Sequence, residues 1–174
     1  EALYRLSPSA ASARSMGTMA YKDGNFVKAS EYFKEAADQE ADPIKRAEDY
    51  LKIGISFQKR GNLSLAKTAL LQAAKSRKNW GDPYIVLATV YGQAAGDCGS
   101  NAFEKNAVYW AAINKANYAA SIDPSVSSKA TKLINAYKQG IPDKGVSFQL
   151  GHKQGESYTI GCWINETVVA DWTL

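Results

Sequence analysis

Histidine is almost missing from this chain: His152 is the only one in 174 residues. A protein metal centre needs several His, Cys or carboxylate ligands at set spacings, and the sequence holds no such cluster. A Ser–His–Asp triad would rest on His152 alone, and no GxSxG elbow is present. No glycine-rich stretch follows a phosphate-binding pattern. Long apolar runs are missing too, so no segment is suited to cross a bilayer as a helix. Blocks of like charge are absent and the net charge is only +4, which argues against a nucleic-acid tail. The chain opens Glu1-Ala2-Leu3-Tyr4-Arg5, without an initiator Met, a basic n-region or an apolar h-region. It reads as a fragment or a processed product. No catalytic residue, metal or cofactor is therefore nominated.

What the chain does have is repetition. Gly17 is followed at +7, +12, +16 and +19 by Gly24, Ala29, Phe33 and Ala36. Gly54 is followed at the same offsets by Gly61, Ala66, Leu70 and Ala73. A third copy starts at Ala88, with Tyr84 and Tyr91 standing where Tyr50 and Phe57 stand in the second. Its second half, Ala112, Ala116 and Ala119, is displaced by 12 residues, an insertion near 96–107. Ser7-Pro8, Asp42-Pro43, Asp82-Pro83 and Asp123-Pro124 recur at intervals of 35, 40 and 41 residues. Each pairs a capping side chain with a residue that tolerates the first helical position, so each reads as a helix start.

Apolar periodicity places the first helix of each pair at about 9–22, 43–59 and 83–95, and the second at about 26–38, 63–77 and 102–121. Gly24-Asn25 and Gly61-Asn62 are the tight turns within the first two pairs, where Gly permits positive φ. Gly17, Gly54 and Ala88 allow the second helix to approach the first; Phe33 and Leu70 fill what remains. A last amphipathic helix over about 125–139 carries Ala130, Leu133, Ile134 and Tyr137 on one face, with Gly140 as its stop. In the inserted segment, Asn101 caps a lengthened helix on which Phe103, Ala107 and Trp110 fall at helical spacing.

These offsets resemble the tetratricopeptide repeat (TPR), a helix pair with small residues on both helices and Pro near its end. The resemblance covers about residues 1–139. It implies a mainly α fold, a right-handed α-solenoid of TPR-like helix pairs. Residues 1–8 resemble the end of a preceding repeat, 9–139 are three helix pairs plus the last helix, and 140–174 are a β-hairpin cap. In the last segment Val146, Phe148 and Leu150 alternate with Ser147 and Gln149, and Tyr158, Ile160, Cys162 and Ile164 alternate with Thr159, Gly161 and Trp163. The two runs read as the strands of the hairpin, with a short further strand at 167–172. Phe148, Tyr158, Ile160, Trp163, Ile164 and Trp172 carry too much apolar surface for a solvated tail. The run from Phe103 to Thr167 also resembles, more loosely, the C-terminus of TPR proteins of Bacteroidetes-type bacteria; this implies a periplasmic or exported protein and no activity.

Cys98, in the inserted loop, and Cys162, on the hairpin, allow two readings: unconnected thiols, or a disulfide fastening cap to solenoid in an oxidising compartment. Asn165-Glu166-Thr167 is formally a glycosylation acceptor, of little weight in a bacterial chain. Tyr109 and Trp110 suit a core better than a ligand platform, and His152 suits a structural or solvated role.

Repeat geometry directs Arg14, Thr18, Tyr21 and Lys22, then Leu51, Ile55, Gln58 and Lys59, then Ile85, Thr89 and Gln93 to a concave face. Apolar anchors with basic rims suit an extended peptide or a helix, so the expected function is a non-catalytic protein- or peptide-binding scaffold, without nucleic acid or membrane insertion. TPR proteins that clamp a terminal carboxylate use Lys/Arg with Asn; here Arg14 and Lys52 are present, but Thr18 and Ile55 stand one turn on. Two other classes stay open: a structural subunit of a cell-envelope complex, and the repeat appendage of an enzyme whose catalytic domain lies outside this segment.

Overall fold

The computed structural model describes residue 4 and residues 8–174. The proposed end of a preceding repeat thus lies mostly outside the described residues. The chain forms two compact units, residues 1–83 and 84–174.

Among the described residues the first unit contains α1 (Ala10–Lys22), α2 (Phe26–Gln39), α3 (Pro43–Lys59) and α4 (Leu63–Ser76). Local chemistry sets their ends. The Ser9 hydroxyl accepts from Ser12 N–H to open α1, two residues later than Ser7-Pro8 suggests. Asp42 accepts from Ile44 N–H at 2.8 Å ahead of Pro43. The α1–α2 and α3–α4 turns are copies. Gly24 and Gly61 have φ of 73° and 75°, and the Asn25 and Asn62 amides donate to Ala20 and Phe57 carbonyls at 2.8 and 3.0 Å. A left-handed residue is needed there, and glycine adopts it without strain.

Each pair crosses at a glycine. A Cβ on Gly17 would lie 2.8 Å from the Phe33 ring, and one on Gly54 would lie 2.7 Å from Leu70 Cγ. Phe33, Ala29, Ala20, Ile53 and Ala69 form one buried cluster, with Tyr21 and Tyr50 against it. Trp80 closes a second with Ala47 and Ala73. Burying a side chain the size of Phe33 or Leu70 is worth about 1.5–3 kcal/mol.

The second unit contains nearly all of α5 (Asp82–Ala94), then α6 (Ala102–Ile122), α7 (Ser127–Tyr137), α8 (Lys144–Gln149), β1 (Ser157–Ile160) and β2 (Glu166–Val169). Short 3-10 turns, Pro124–Val126 and Lys138–Gly140, flank α7. Asn101 caps α6, accepting from Glu104 N–H at 2.9 Å. Phe103, Ala107 and Trp110 are buried along the lengthened helix. The pair Gly54/Leu70 of the second repeat becomes Ala88/Ala116, both in a cluster with Val126 and Ala130 that Leu133, Ile134 and Tyr137 of α7 complete. Tyr137 takes the remaining room: a Cβ on Gly92 would meet its ring at 2.6 Å.

The C-terminal segment corrects several expectations. Residues 146–150 form no strand; they lie in and just after α8. Asp143 caps it by accepting from Val146 N–H at 2.8 Å, and Gly151, at φ 88°, ends it, with Gly151 and His152 amides donating to the Phe148 and Ser147 carbonyls. These are helix start and stop signals eight residues apart, and they override the alternation. The side chain α8 buries is Ser147, whereas Val146, Phe148 and Leu150 are exposed. The hairpin instead pairs Ser157 with Val169 through Ile160 with Glu166. The alternation breaks after Ile160, because Cys162 and Asn165 take positive φ in the turn. Gly140 is no left-handed stop; it makes room for Tyr109, whose ring a Cβ would meet at 2.5 Å.

The tail rests on α5 and α6. Ile160, Ile164, Val168 and Ala170 are buried. Trp110 Nε1–H donates to the Asp171 carbonyl at 3.0 Å, and Trp172 Nε1–H donates to the Pro142 carbonyl at 2.7 Å. Glu166 accepts from the Tyr91 hydroxyl and pairs with Lys115 at 2.8 Å. Burial, with Glu166 adding to it, raises the Tyr91 phenol well above its ordinary pKa and keeps it a donor. Cys98 and Cys162 are joined, Cα to Cα 5.7 Å.

Replacing Gly54 by Leu is expected to lower the unfolding free energy by about 1–3 kcal/mol through overpacking. Gly61→Asn, at a left-handed position with open space around it, is expected to change it far less. Thermal unfolding of both variants followed by circular dichroism tests the crossing, and a Gly54→Leu protein that melts with the wild type rules it out.

The Cys98–Cys162 link closes a loop with a sequence separation of 64. Cys98→Ser is expected to cost about 2–4 kcal/mol in urea unfolding. Alkylation without reductant is expected to leave the wild-type mass unchanged; labelling of both thiols is the contrary result.

Candidate functional site

Arg14, Thr18, Tyr21 and Lys22 fall on one face of α1 by helical spacing, as Ile55 does on α3 beside Lys52. The structure brings four of the eleven expected residues into one cavity. Thr18, Tyr21 and Lys22 of α1, Phe33 of α2, and Lys52 and Ile55 of α3 line a pocket of about 400 Å³. Phe33 is the residue that sequence reasoning assigned only to packing; its ring both fills the space over Gly17 and lines the pocket. Lys52 Nζ stands 5.2 Å from the centre of that ring. Tyr21 is braced edge-on by Phe26, ring centres 5.2 Å apart. Neither Lys22 nor Lys52 has an ion pair among the described residues. The pocket is thus apolar inside, with two ammonium groups in its wall.

Arg14 does something else. Its guanidinium donates from Nε to Asp49 Oδ1 at 2.7 Å and from Nη2 to Asp49 Oδ2 at 2.6 Å, and Nη2 also reaches Glu40 Oε2 at 2.8 Å. Asp49 is fully buried, and this fork gives its carboxylate both hydrogen bonds and an opposite charge. The hydrogen bonds to Asp49 raise the Arg14 pKa further above its ordinary value, against the opposing effect of burial. Glu40 is held below the ordinary carboxylate range, first by Arg14 and then by the Asp42 amide. Arg14 is therefore engaged by two carboxylates as a structural cation.

Other expected face residues scatter. Leu51 packs against the Ala47, Ala73 and Trp80 cluster. Gln58 is half-buried and Lys59 exposed near the end of α3. In the second unit, Ile85 is only 8% exposed, in the core formed with α6 and α7, so it offers no open face. Thr89 donates to the Val86 carbonyl at 2.7 Å, and Gln93 is exposed.

The remaining chemistry-bearing groups are braced by neighbours. His152 stacks on Phe103, ring centres 3.5 Å apart, and pairs through Nδ1 with Glu156, which lowers the pKa of that carboxyl. Trp110 is buried against Phe103 and Trp172 rather than forming a platform, while Tyr109 packs beside Tyr137. Among the described residues no three His, Cys, Asp or Glu side chains cluster as metal ligands, and no helix is long and apolar enough to cross a membrane.

No protein-family model matches the chain, and no curated protein does. Solved structures do match. The TPR domain of Arabidopsis OM64 is similar with a TM-score of 0.62 and 16% identity, over 76% of this chain and 97% of that one. The TPR2B domain of yeast Sti1, in its complex with pHsp70, is similar with a TM-score of 0.62 and 18% identity, over 76% of this chain and 98% of that one. The fold is TPR-like, mainly helical, with a two-stranded antiparallel sheet near the C-terminus.

Arg14→Met is expected to destabilise the protein by about 3–5 kcal/mol, because it leaves the Asp49 carboxylate buried without its partner. Glu40→Gln separates the outer contact. Since the folded state holds the Glu40 proton more weakly than the unfolded state does, its contribution is complete above the ordinary carboxylate range and is lost as pH falls through the lowered value. In urea unfolding, the wild type should exceed Glu40→Gln at neutral pH and converge with it in acid; a constant gap across that window contradicts the pairing.

Proposed function

We propose that this protein is a non-catalytic scaffold whose first unit holds a segment of another protein at the α1–α3 pocket. The observation that carries this reading is the pocket itself: residues from three helices, four of them expected from repeat geometry to face a ligand, surround an apolar space with ammonium groups in its wall. A cavity of this size accepts one or two large side chains. An apolar anchor would rest against Phe33, Tyr21 and Ile55, and a carboxylate on the same segment would be drawn to Lys22 and Lys52. The TPR2B domain of Sti1, a similar fold, is seen with pHsp70, which supports a peptide or protein as the class of ligand. The absence of paired asparagines at Thr18 and Ile55 speaks against a terminal-carboxylate clamp of the usual kind. The Cys98–Cys162 link supports work in an oxidising compartment, periplasmic or exported.

Selection of a random peptide display library against the wild-type chain, with counter-selection against Ile55→Asp and against Lys22→Glu with Lys52→Glu, tests the reading. Selected peptides are expected to pair a bulky apolar residue with an acidic one and to bind either variant about tenfold more weakly. Enrichment of peptides that bind wild type and variants alike would exclude this pocket.

A further inference from the structure

We infer a second docking site, in the C-terminal segment, for an acidic protein segment that carries one bulky apolar side chain. A cleft of about 480 Å³ opens there between α8 and the chain after β2. Lys144, Phe148, His152, Lys153, Gln154 and Trp172 line it. Most of its wall is fixed in advance. The Trp172 indole is held by its bond to the Pro142 carbonyl and by its edge contact with Trp110, ring centres 5.5 Å apart. Gln154 donates to Asp171 Oδ1 at 2.8 Å and accepts from the Trp172 amide at 3.0 Å. His152 lies flat on Phe103. A preformed wall of this kind costs little ordering on binding.

Phe148 is the exception. It is 74% exposed, and Val146 and Leu150 beside it in sequence are also exposed. Three large apolar side chains within five residues, on a helix whose buried residue is a serine, are the reverse of what folding alone selects. Phe148 contributes to the cleft and not to the core.

Charge decides the occupant. Lys144 and Lys153 have no ion pair among the described residues. The nearby carboxylates are engaged. Asp143 caps α8, Glu156 accepts from His152 and from the Lys153 amide, and Asp171 accepts from Gln154 and twice from Thr173. The lining itself is mostly apolar and carries two lysines and no carboxylate. A second copy of this chain fits poorly, since a two-fold contact would set Lys144 and Lys153 against themselves. A lipid surface would engage projecting side chains but leave the hollow between Phe148 and Trp172 unfilled. An acidic segment satisfies both lysines while its apolar side chain fills that hollow.

The test is titration of the 174-residue chain, followed by amide and indole NMR shifts. The probes are a blocked hexapeptide with two glutamates on each side of a Phe-Ala pair, the same peptide with lysines for glutamates, and vesicles of phosphatidylcholine with phosphatidylglycerol. The acidic peptide is expected to shift residues 144–154 and the Trp172 indole. Phe148→Ser, whose thermal stability should match the wild type because Phe148 is exposed, is expected to weaken it about tenfold. Lys144→Glu with Lys153→Glu is expected to do the same and to reverse the preference toward the lysine peptide. Equal shifts with both peptides, no shifts at millimolar acidic peptide, or shifts confined to residues 18–55 would overturn the proposal. So would vesicle binding without peptide binding, or concentration-dependent self-association that Phe148→Ser abolishes.

Discussion

The contact on which the first unit depends is the crossing of each helix pair at a glycine. Gly17 faces Phe33 and Gly54 faces Leu70 at distances that exclude a Cβ. Removing one methyl from each first helix lets the second come close enough for a large side chain to cover bare backbone. Dispersion attraction falls steeply with separation, so the gain is realised only at such close approach. The crossings fix the relation of α1 to α2 and of α3 to α4, and the matching turns at Gly24 and Gly61 follow from it. Phe33 then has one side against Gly17 and another against the pocket. Packing and ligand recognition share a residue, so the pocket inherits its rigidity from the core.

The second unit solves the same problem with different volumes. Where Gly54 meets Leu70 in the second repeat, Ala88 and Ala116 share a cluster in the third, and Tyr137 from α7 takes up space beside Gly92. Adding a methyl on one helix and removing most of a leucine from the other leaves room that only a further element can fill. The lengthened N-terminal part of α6 supplies Phe103 outside the repeat frame, packed on Trp110 just inside it. Those two rings organise the tail: His152 and Tyr158 pack on Phe103, and Trp172 packs on Trp110. An isolated hairpin of four-residue strands is marginal in water, and these contacts with the Cys98–Cys162 link are what it depends on.

Much of this was legible because the signals are local. Pro43 after Asp42, glycine at 24 and 61, Asn101 before the long helix, and small residues at fixed offsets each state a backbone or packing requirement within a few residues of where it acts. At α8 two local signals conflict. Asp143 and Gly151 announce a short helix, whereas Val146, Phe148 and Leu150 alternate as a strand would, with no core for those side chains to enter. The site was harder to read. Arg14 looks like a groove cation until Asp49, distant in sequence and fully buried, is seen beneath it. Ile85 occupies a position that would face a ligand in an open repeat, yet α6 and α7 enclose it. Both depend on contacts that periodicity does not encode.

The two kinds of cation divide the electrostatic work. A guanidinium offers a planar fork that can satisfy both oxygens of a buried carboxylate and a second carboxylate beside it, and Arg14 is used in this way. An ammonium on a flexible stem lays its methylenes along apolar surface and keeps its charge in water. Lys22 and Lys52 hold this position at one cleft, Lys144 and Lys153 at another. Neither lining includes a carboxylate. The ammonium groups in the two linings thus stand directly beside apolar hollows. Such an arrangement adds little to stability, because exposed charges are well screened. Its effect is on selection: an apolar segment with basic neighbours is repelled, and one with acidic neighbours is drawn in, before any shape is tested.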